Sequence, residues 1–194
     1  MGSSLRAFAV MLAAGTFAAA ASSGTAVRFT LASVAGGTLT AGGTPVSAGA
    51  EVPEATPLHL DAGHAVIDLA GEGRLLLTGP ADVEFGPRRL SLNRGRLLSV
   101  LGRLKGRFSV ATPIAVAAVR GTEFFVEARE DGRTYLCLCE GRIDVTGVPG
   151  VSYHKALQAT HHSGFIYSRH GKELDRNPWH MEHHSDAEIG SMKP

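Results

Sequence analysis

Apolar and polar residues alternate in short runs along most of this chain, and glycine closes nearly every run. Val27-Arg28-Phe29-Thr30-Leu31 has a period of two, followed by Gly36-Gly37 and Gly42-Gly43. Leu58-His59-Leu60 leads to Asp61-Ala62-Gly63, and residues 65–69 lead to Gly71-Glu72-Gly73. Residues 74–80 and 81–85 follow as two further runs, and Leu90-Ser91-Leu92 closes on Asn93-Arg94-Gly95. A period of two places alternate side chains on one face of a strand, and Gly-rich punctuation marks turns. No run beyond residue 26 longer than about ten residues has helical spacing, the length at which a helix becomes credible. The pattern predicts an all-β domain of short strands, either solenoid-like or a sandwich.

Residues 108–145 have the most regular pattern. Phe108, Val110 and Thr112 alternate up to Pro113, and Phe124, Val126 and Ala128 alternate with Glu123, Phe125 and Glu127. Glu130-Asp131-Gly132 supplies a tight hairpin turn. Residues 134–139 are apolar at both parities, which predicts a central strand covered on both faces, interrupted at Gly141 before Ile143 and Val145.

Three of these segments together resemble a known family. They are Phe108-x-Val110-x-Thr112-Pro113, Ala118-Val119-Arg120-Gly121-Thr122-Glu123-Phe124-x-Val126 and Gly141-Arg142-Ile143-x-Val145. In order and spacing they resemble the FecR domain, and so do residues 77–83 and Leu90-x-Leu92-x-x-Gly95-Arg96 upstream. The resemblance covers roughly residues 40–146. It implies an exported, β-rich domain that senses a receptor signal in the periplasm and relays it to a sigma factor. The anti-sigma segment and internal transmembrane helix of full-length members are not visible in this sequence, so the resemblance implies fold more securely than function. Within the motif, Gly121 is expected to take a positive φ or a close backbone approach, and Arg120 to pair with Glu123 or cap a strand end.

The first residues modify that picture. Arg6 precedes an apolar, Ala-rich run over residues 7–21 that ends in Ala18-Ala19-Ala20-Ala21-Ser22. This reads as a secretory signal peptide over residues 1–21, shorter than the roughly 20 residues a membrane span needs. The expected organisation is that signal, a FecR-like β-domain over residues 27–146 and an irregular His-rich extension over residues 147–194. The expected location is the periplasm, with no integral membrane span once the signal is removed. A formal net charge of +1 names no partner, and 44% hydrophobic with 19% charged residues excludes a disordered chain.

Candidate chemistry lies late in the chain. Cys137 and Cys139 are i and i+2 on a predicted strand, hence on one face, with Cα atoms about 6.5–7 Å apart. That is at or beyond the reach of a disulfide, whereas a same-face thiolate pair is half of a tetrahedral metal site. Two buried thiols or a strained disulfide are the alternatives. Seven of the nine histidines lie between His154 and His184. His161, His162, His183 and His184 are the candidates to complete a site for zinc, iron or copper, which requires the tail to fold back onto the cysteine strand. Ser185-Asp186-Ala187-Glu188 reads as a capping box that starts a short helix. Neither Cys-x-x-Cys-His nor His-Glu-x-x-His occurs, which excludes covalent haem attachment and a zinc protease of that type.

No acid occurs between Pro87 and Thr122, where Arg88, Arg89, Arg94, Arg96, Arg103, Lys105, Arg107 and Arg120 fall. On a strand, Arg103, Lys105 and Arg107 would form a positive stripe suited to anionic lipid or glycan. Export argues against nucleic acid as the partner. With no acid, base and nucleophile constellation visible, the leading expectation is a non-catalytic binding or interaction module of the envelope with a protein partner. A periplasmic metal-binding protein and a scaffold for anionic surface polymers are the alternatives.

Overall fold

A computed structural model describes residues 27–193, so the signal-peptide reading of residues 1–21 lies outside the described residues. The chain runs through β1 (Phe29–Ala35), β2 (Leu39–Ala41), β3 (Thr44–Pro45), β4 (Pro57–Leu60), β5 (His64–Leu69), β6 (Gly73–Gly86) and β7 (Arg89–Leu101). It continues as β8 (Phe108–Ala111), β9 (Ala115–Ala128), β10 (Thr134–Gly147), β11 (His154–Ala159), β12 (Ser163–His170) and β13 (Glu173–Trp179), then α1 (Asp186–Met192). The fold is all-β, as the alternation predicts, with all described strands in one mixed sheet.

Several strands are longer than the glycine punctuation implies. Residues 74–80 and 81–85 are both in β6, and Asn93-Arg94-Gly95 is not a turn but the interior of β7. The reason is bending. Gly95, Gly121 and Gly141 sit mid-strand with φ of 101°, 130° and 106°. At Gly121 a Cβ would stand 2.5 Å from the carbonyl oxygen of Gly102, so both expectations for this residue hold. Glycine here lets a strand change direction without ending.

Bending lets each long strand serve two sets of neighbours. The second half of β7 pairs with the first half of β6 and the second half of β9, while its first half pairs with the end of β6 and with β8. In the same way β10 pairs with β12 through residues 134–138 and with β11 through residues 141–146. The sheet thereby folds over on itself around one apolar core. Leu75, Leu77, Leu92, Phe108, Phe124 and Leu138 are among the side chains that fill it.

The opposite face of β10 is also covered. Leu136 and Leu138 point into the main core, whereas Tyr135, Cys137 and Cys139 join Leu98, Val100, Phe125 and Ile166 in a second buried cluster. Ile189 and Met192 of α1 complete that cluster. At seven residues α1 is well below the ~12–15 at which isolated helices become even marginal in water, so tertiary contacts hold it. Ser185 caps it as its sequence predicts, its Oγ accepting from the Glu188 N–H at 3.3 Å.

Two expectations are corrected. The extension over residues 147–194 is not irregular: β11, β12 and β13 continue the sheet. Its alternation is blurred because β11 and β13 are largely exposed on both faces, so polar residues occupy both parities. Arg103, Lys105 and Arg107 lie in the loop between β7 and β8 rather than on a strand, and form no strand stripe. Among their neighbours in that basic stretch, Arg88 pairs with Glu72, Arg94 with Asp82 and Arg96 with Glu127.

Candidate metal centre

Strand β10 presents both cysteines to one side because residues two apart on a strand share a face. Cys137 and Cys139 are buried free thiols. Two other parts of the chain converge on them. The β11–β12 connection delivers His162, which immediately precedes the register pair Ser163–Leu138. The segment before α1 delivers His184, which is buried with its ring stacked on Phe125 at a centroid distance of 4.6 Å.

The donor atoms of Cys137, Cys139, His162 and His184 all lie within 4.8 Å of one another. Cys137 Sγ is 3.6 Å from His162 Nδ1, and Cys139 Sγ is 3.6 Å from His184 Nε2. A tetrahedral zinc with bonds of about 2.3 Å to sulfur and about 2.0–2.1 Å to nitrogen has S···N edges of about 3.6 Å. These two approaches already match that edge. The remaining separations, none above 4.8 Å, need at most about 1.5 Å of closure to reach the tetrahedral edges.

Outer partners fix which nitrogen of each ring faces the sulfurs. His162 Nε2 lies 2.8 Å from Asp186 Oδ1, which leaves Nδ1 for a ligand. His184 Nδ1 donates to the carbonyl oxygen of Glu182 at 2.8 Å, which leaves Nε2. A histidine whose second nitrogen is held by a carboxylate or carbonyl is the usual arrangement of a ligating imidazole. The sulfurs are electrostatically prepared as well. The hydrogen bond from Cys139, followed by those from His184 and His162, holds Cys137 down at about 4, against the opposing effect of burial. The Cys137 sulfur and burial push Cys139 upward. His162 is shifted upward: burial opposes the shift, but Asp186 and the Cys137 sulfur outweigh it. A cavity of about 220 Å³ bordered by Cys139, His161, His162 and Asp186 gives an ion a way in.

Of the histidines expected here, the fold brings in His162 and His184 and leaves out His161 and His183. His161 is exposed, with its ring edge-on to His162 at 4.6 Å. His183 turns to the other side at a positive φ of 61°, where its Nδ1 lies 3.1 Å from Glu127 Oε2. Glu127, Glu182 and His183 also form a close group, but Arg96 and Arg129 already occupy the Glu127 carboxylate and Arg129 also pairs with Glu182. That group is therefore a charge network rather than a ligand set. Asp186 and Tyr135 escaped the sequence reading. The capping box that fixes the start of α1 was the available signal for Asp186, because it puts that residue in the first turn.

Residues 61–144 match the family model described as FecR protein. This segment is FecR-like. It supplies Cys137 and Cys139, whereas His162 and His184 lie beyond its matched end. A crystal structure of a candidate anti-sigma factor from Parabacteroides distasonis is similar at 18% identity with a TM-score of 0.51, covering 63% of this chain and 59% of that one. A second such structure from the same organism, at 19% identity, covers 77% of this chain and 60% of the other with a TM-score of 0.40. The chain thus spans about three fifths of the length of either neighbour, and at 18% identity the first likeness is one of fold. No curated protein matches the chain. Within the FecR-like segment the Arg-Gly-Thr-Glu-Phe block is architectural. Gly121 bends β9, the Thr122 hydroxyl donates to the carbonyl oxygen of Arg142 at 3.1 Å, and Phe124 fills the core. Glu123 pairs with Lys193 at 2.7 Å rather than with Arg120.

Proposed function

We propose that this protein is a signal-related regulatory module of the cell envelope with a Cys₂His₂ metal centre, in which Cys137 and Cys139 of the FecR-like segment are joined by His162 and His184 from the chain that follows it. The observation that carries the metal reading is the convergence of four soft and borderline donors within 4.8 Å, drawn from three separate parts of the chain. Two thiolates and two imidazoles in a closed tetrahedron favour zinc over the harder divalent ions, and suit copper(I) next. With all four positions taken by protein, such a metal organises structure and leaves no open position for substrate. The FecR match supports the regulatory reading, and the likeness in fold to a candidate anti-sigma factor supports a protein as its partner. The module is read as non-catalytic and periplasmic.

Metal analysis of the purified chain after zinc loading and desalting tests the reading. One zinc per chain is expected, and cobalt(II) in its place should give the thiolate charge-transfer band and the intense visible bands of a tetrahedral thiolate site. A zinc content that Cys137→Ser and His184→Ala leave unchanged would sink it.

A further inference from the structure

The four ligands do not belong to one element. Cys137 and Cys139 are fixed in the middle of β10, but His184 arrives 45 residues after Cys139, and the segment that carries it covers the second apolar cluster. Three kinds of contact hold that segment. Tyr135 Oη donates to the carbonyl oxygen of His180 at 3.1 Å and accepts from the Glu182 N–H at 3.2 Å. Ile189 and Met192 bury themselves against the outer face of the sheet, and Lys193 reaches Glu123 at 2.7 Å. Between these lies the candidate metal centre, which grips the segment twice: directly through His184, and through His162 to Asp186 in the first turn of α1.

We infer that residues 180–193 are a metal-fastened strap: zinc at Cys137, Cys139, His162 and His184 locks α1 over the apolar face formed by Leu98, Val100, Phe125, Tyr135 and Ile166, and loss of zinc releases it. The inference rests on the metal reading above and assigns that site its regulatory task. A helix of seven residues has too few internal hydrogen bonds to persist undocked, so its order depends on what fastens it. Metal binding that joins two pieces of chain is realised as folding of the looser piece. The sheet beneath needs no such help, because β9 and β10 also face the main core through Phe124, Val126, Leu136 and Leu138. Release of the strap therefore uncovers an apolar surface on a domain that stays folded. This gives a small ion control over whether that apolar face is covered.

The experiment is hydrogen–deuterium exchange on the full chain, zinc-loaded and after zinc removal by a chelator, with zinc content measured on the same samples. Zinc removal is expected to speed exchange over residues 180–193 at least tenfold while residues 124–128 and 134–138 keep their protection. If one zinc binds but exchange over residues 180–193 is the same with and without it, the strap is refuted and the metal centre stands. If no zinc binds, both readings fall together. Linkage supplies a second arm, because what zinc does for the helix the helix must do for zinc. Met192→Ser removes an apolar anchor without touching a ligand, and should weaken zinc binding about tenfold. Zinc affinity equal to that of the parent would overturn the strap.

Discussion

Cys139 Sγ and His184 Nε2 stand 3.6 Å apart although His184 follows Cys139 by 45 positions in the chain. Three strands and a tight return separate the two in sequence, and the return is made by the His180–Glu182 backbone closing on the Tyr135 hydroxyl. Placement of that histidine is therefore a property of the sheet and of the turn that follows it.

Ligands and their outer partners should separate by size of effect. Cys137→Ser and His184→Ala should each lower zinc affinity by more than about 100-fold, while Asp186→Asn, which weakens the hold on His162, should cost about 10–100-fold. His161→Ala and His183→Ala should bind zinc as the parent does. Competition against a chromophoric chelator ranks all five. A ranking that put His183 above His184 would refute the assignment.

Tyr135→Phe removes one hydroxyl that serves two backbone groups. Its loss leaves the Glu182 N–H and the His180 carbonyl without that partner, at a cost of about 1–3 kcal/mol. The effect should be local, with faster amide exchange at residue 182 and a small fall in Tm. Unchanged exchange there would mean that water replaces the hydroxyl at no cost.

Gly121→Ala tests the architectural role of the Arg-Gly-Thr-Glu-Phe block. The new Cβ would meet the Gly102 carbonyl oxygen at 2.5 Å on a backbone at φ 130°. A loss of roughly 2–3 kcal/mol is expected in urea unfolding, with zinc stoichiometry retained in the folded fraction. Parent-like stability would show that β9 tolerates a different bend.

Glu127 connects pH to stability. Burial raises its pKa, but the hydrogen bond from Arg96, together with His183 and Arg129, outweighs burial and leaves it below 4.5. A carboxylate depressed in the folded state binds fewer protons than in the unfolded chain. Its stabilisation is therefore fully present above 4.5 and is lost as pH falls through the lower folded value. Glu127→Gln should be less stable by about 1–2 kcal/mol at neutral pH and should lose less on acidification. Parallel stability–pH curves for parent and variant would refute this.

Much of the fold was legible because a period of two is a local property. The alternation in residues 124–128 and 134–139 correctly divides Phe124, Val126, Leu136 and Leu138 from Phe125, Tyr135, Cys137 and Cys139, and each set has its own apolar cluster. Strand lengths were less legible. A glycine that bends a strand and a glycine that ends one look alike in sequence, so Gly95 reads as a turn although β7 continues through it. Strands β11 and β13 were hidden for another reason. Both are largely solvated, and their order comes from backbone hydrogen bonding to β10 and β12 rather than from an apolar face.

The sequence by itself determined that the chain is β-structured, that Cys137 and Cys139 share a face, and that a supply of imidazoles follows them. Only the tertiary structure decided which imidazoles meet the sulfurs. His161 and His162 are neighbours, as are His183 and His184, yet one of each pair reaches the thiolates and the other does not. Adjacent residues in an extended or turning chain project in different directions. The direction that faces the site is set by how β12 registers on β10, and by where the chain returns over Tyr135 and Phe125.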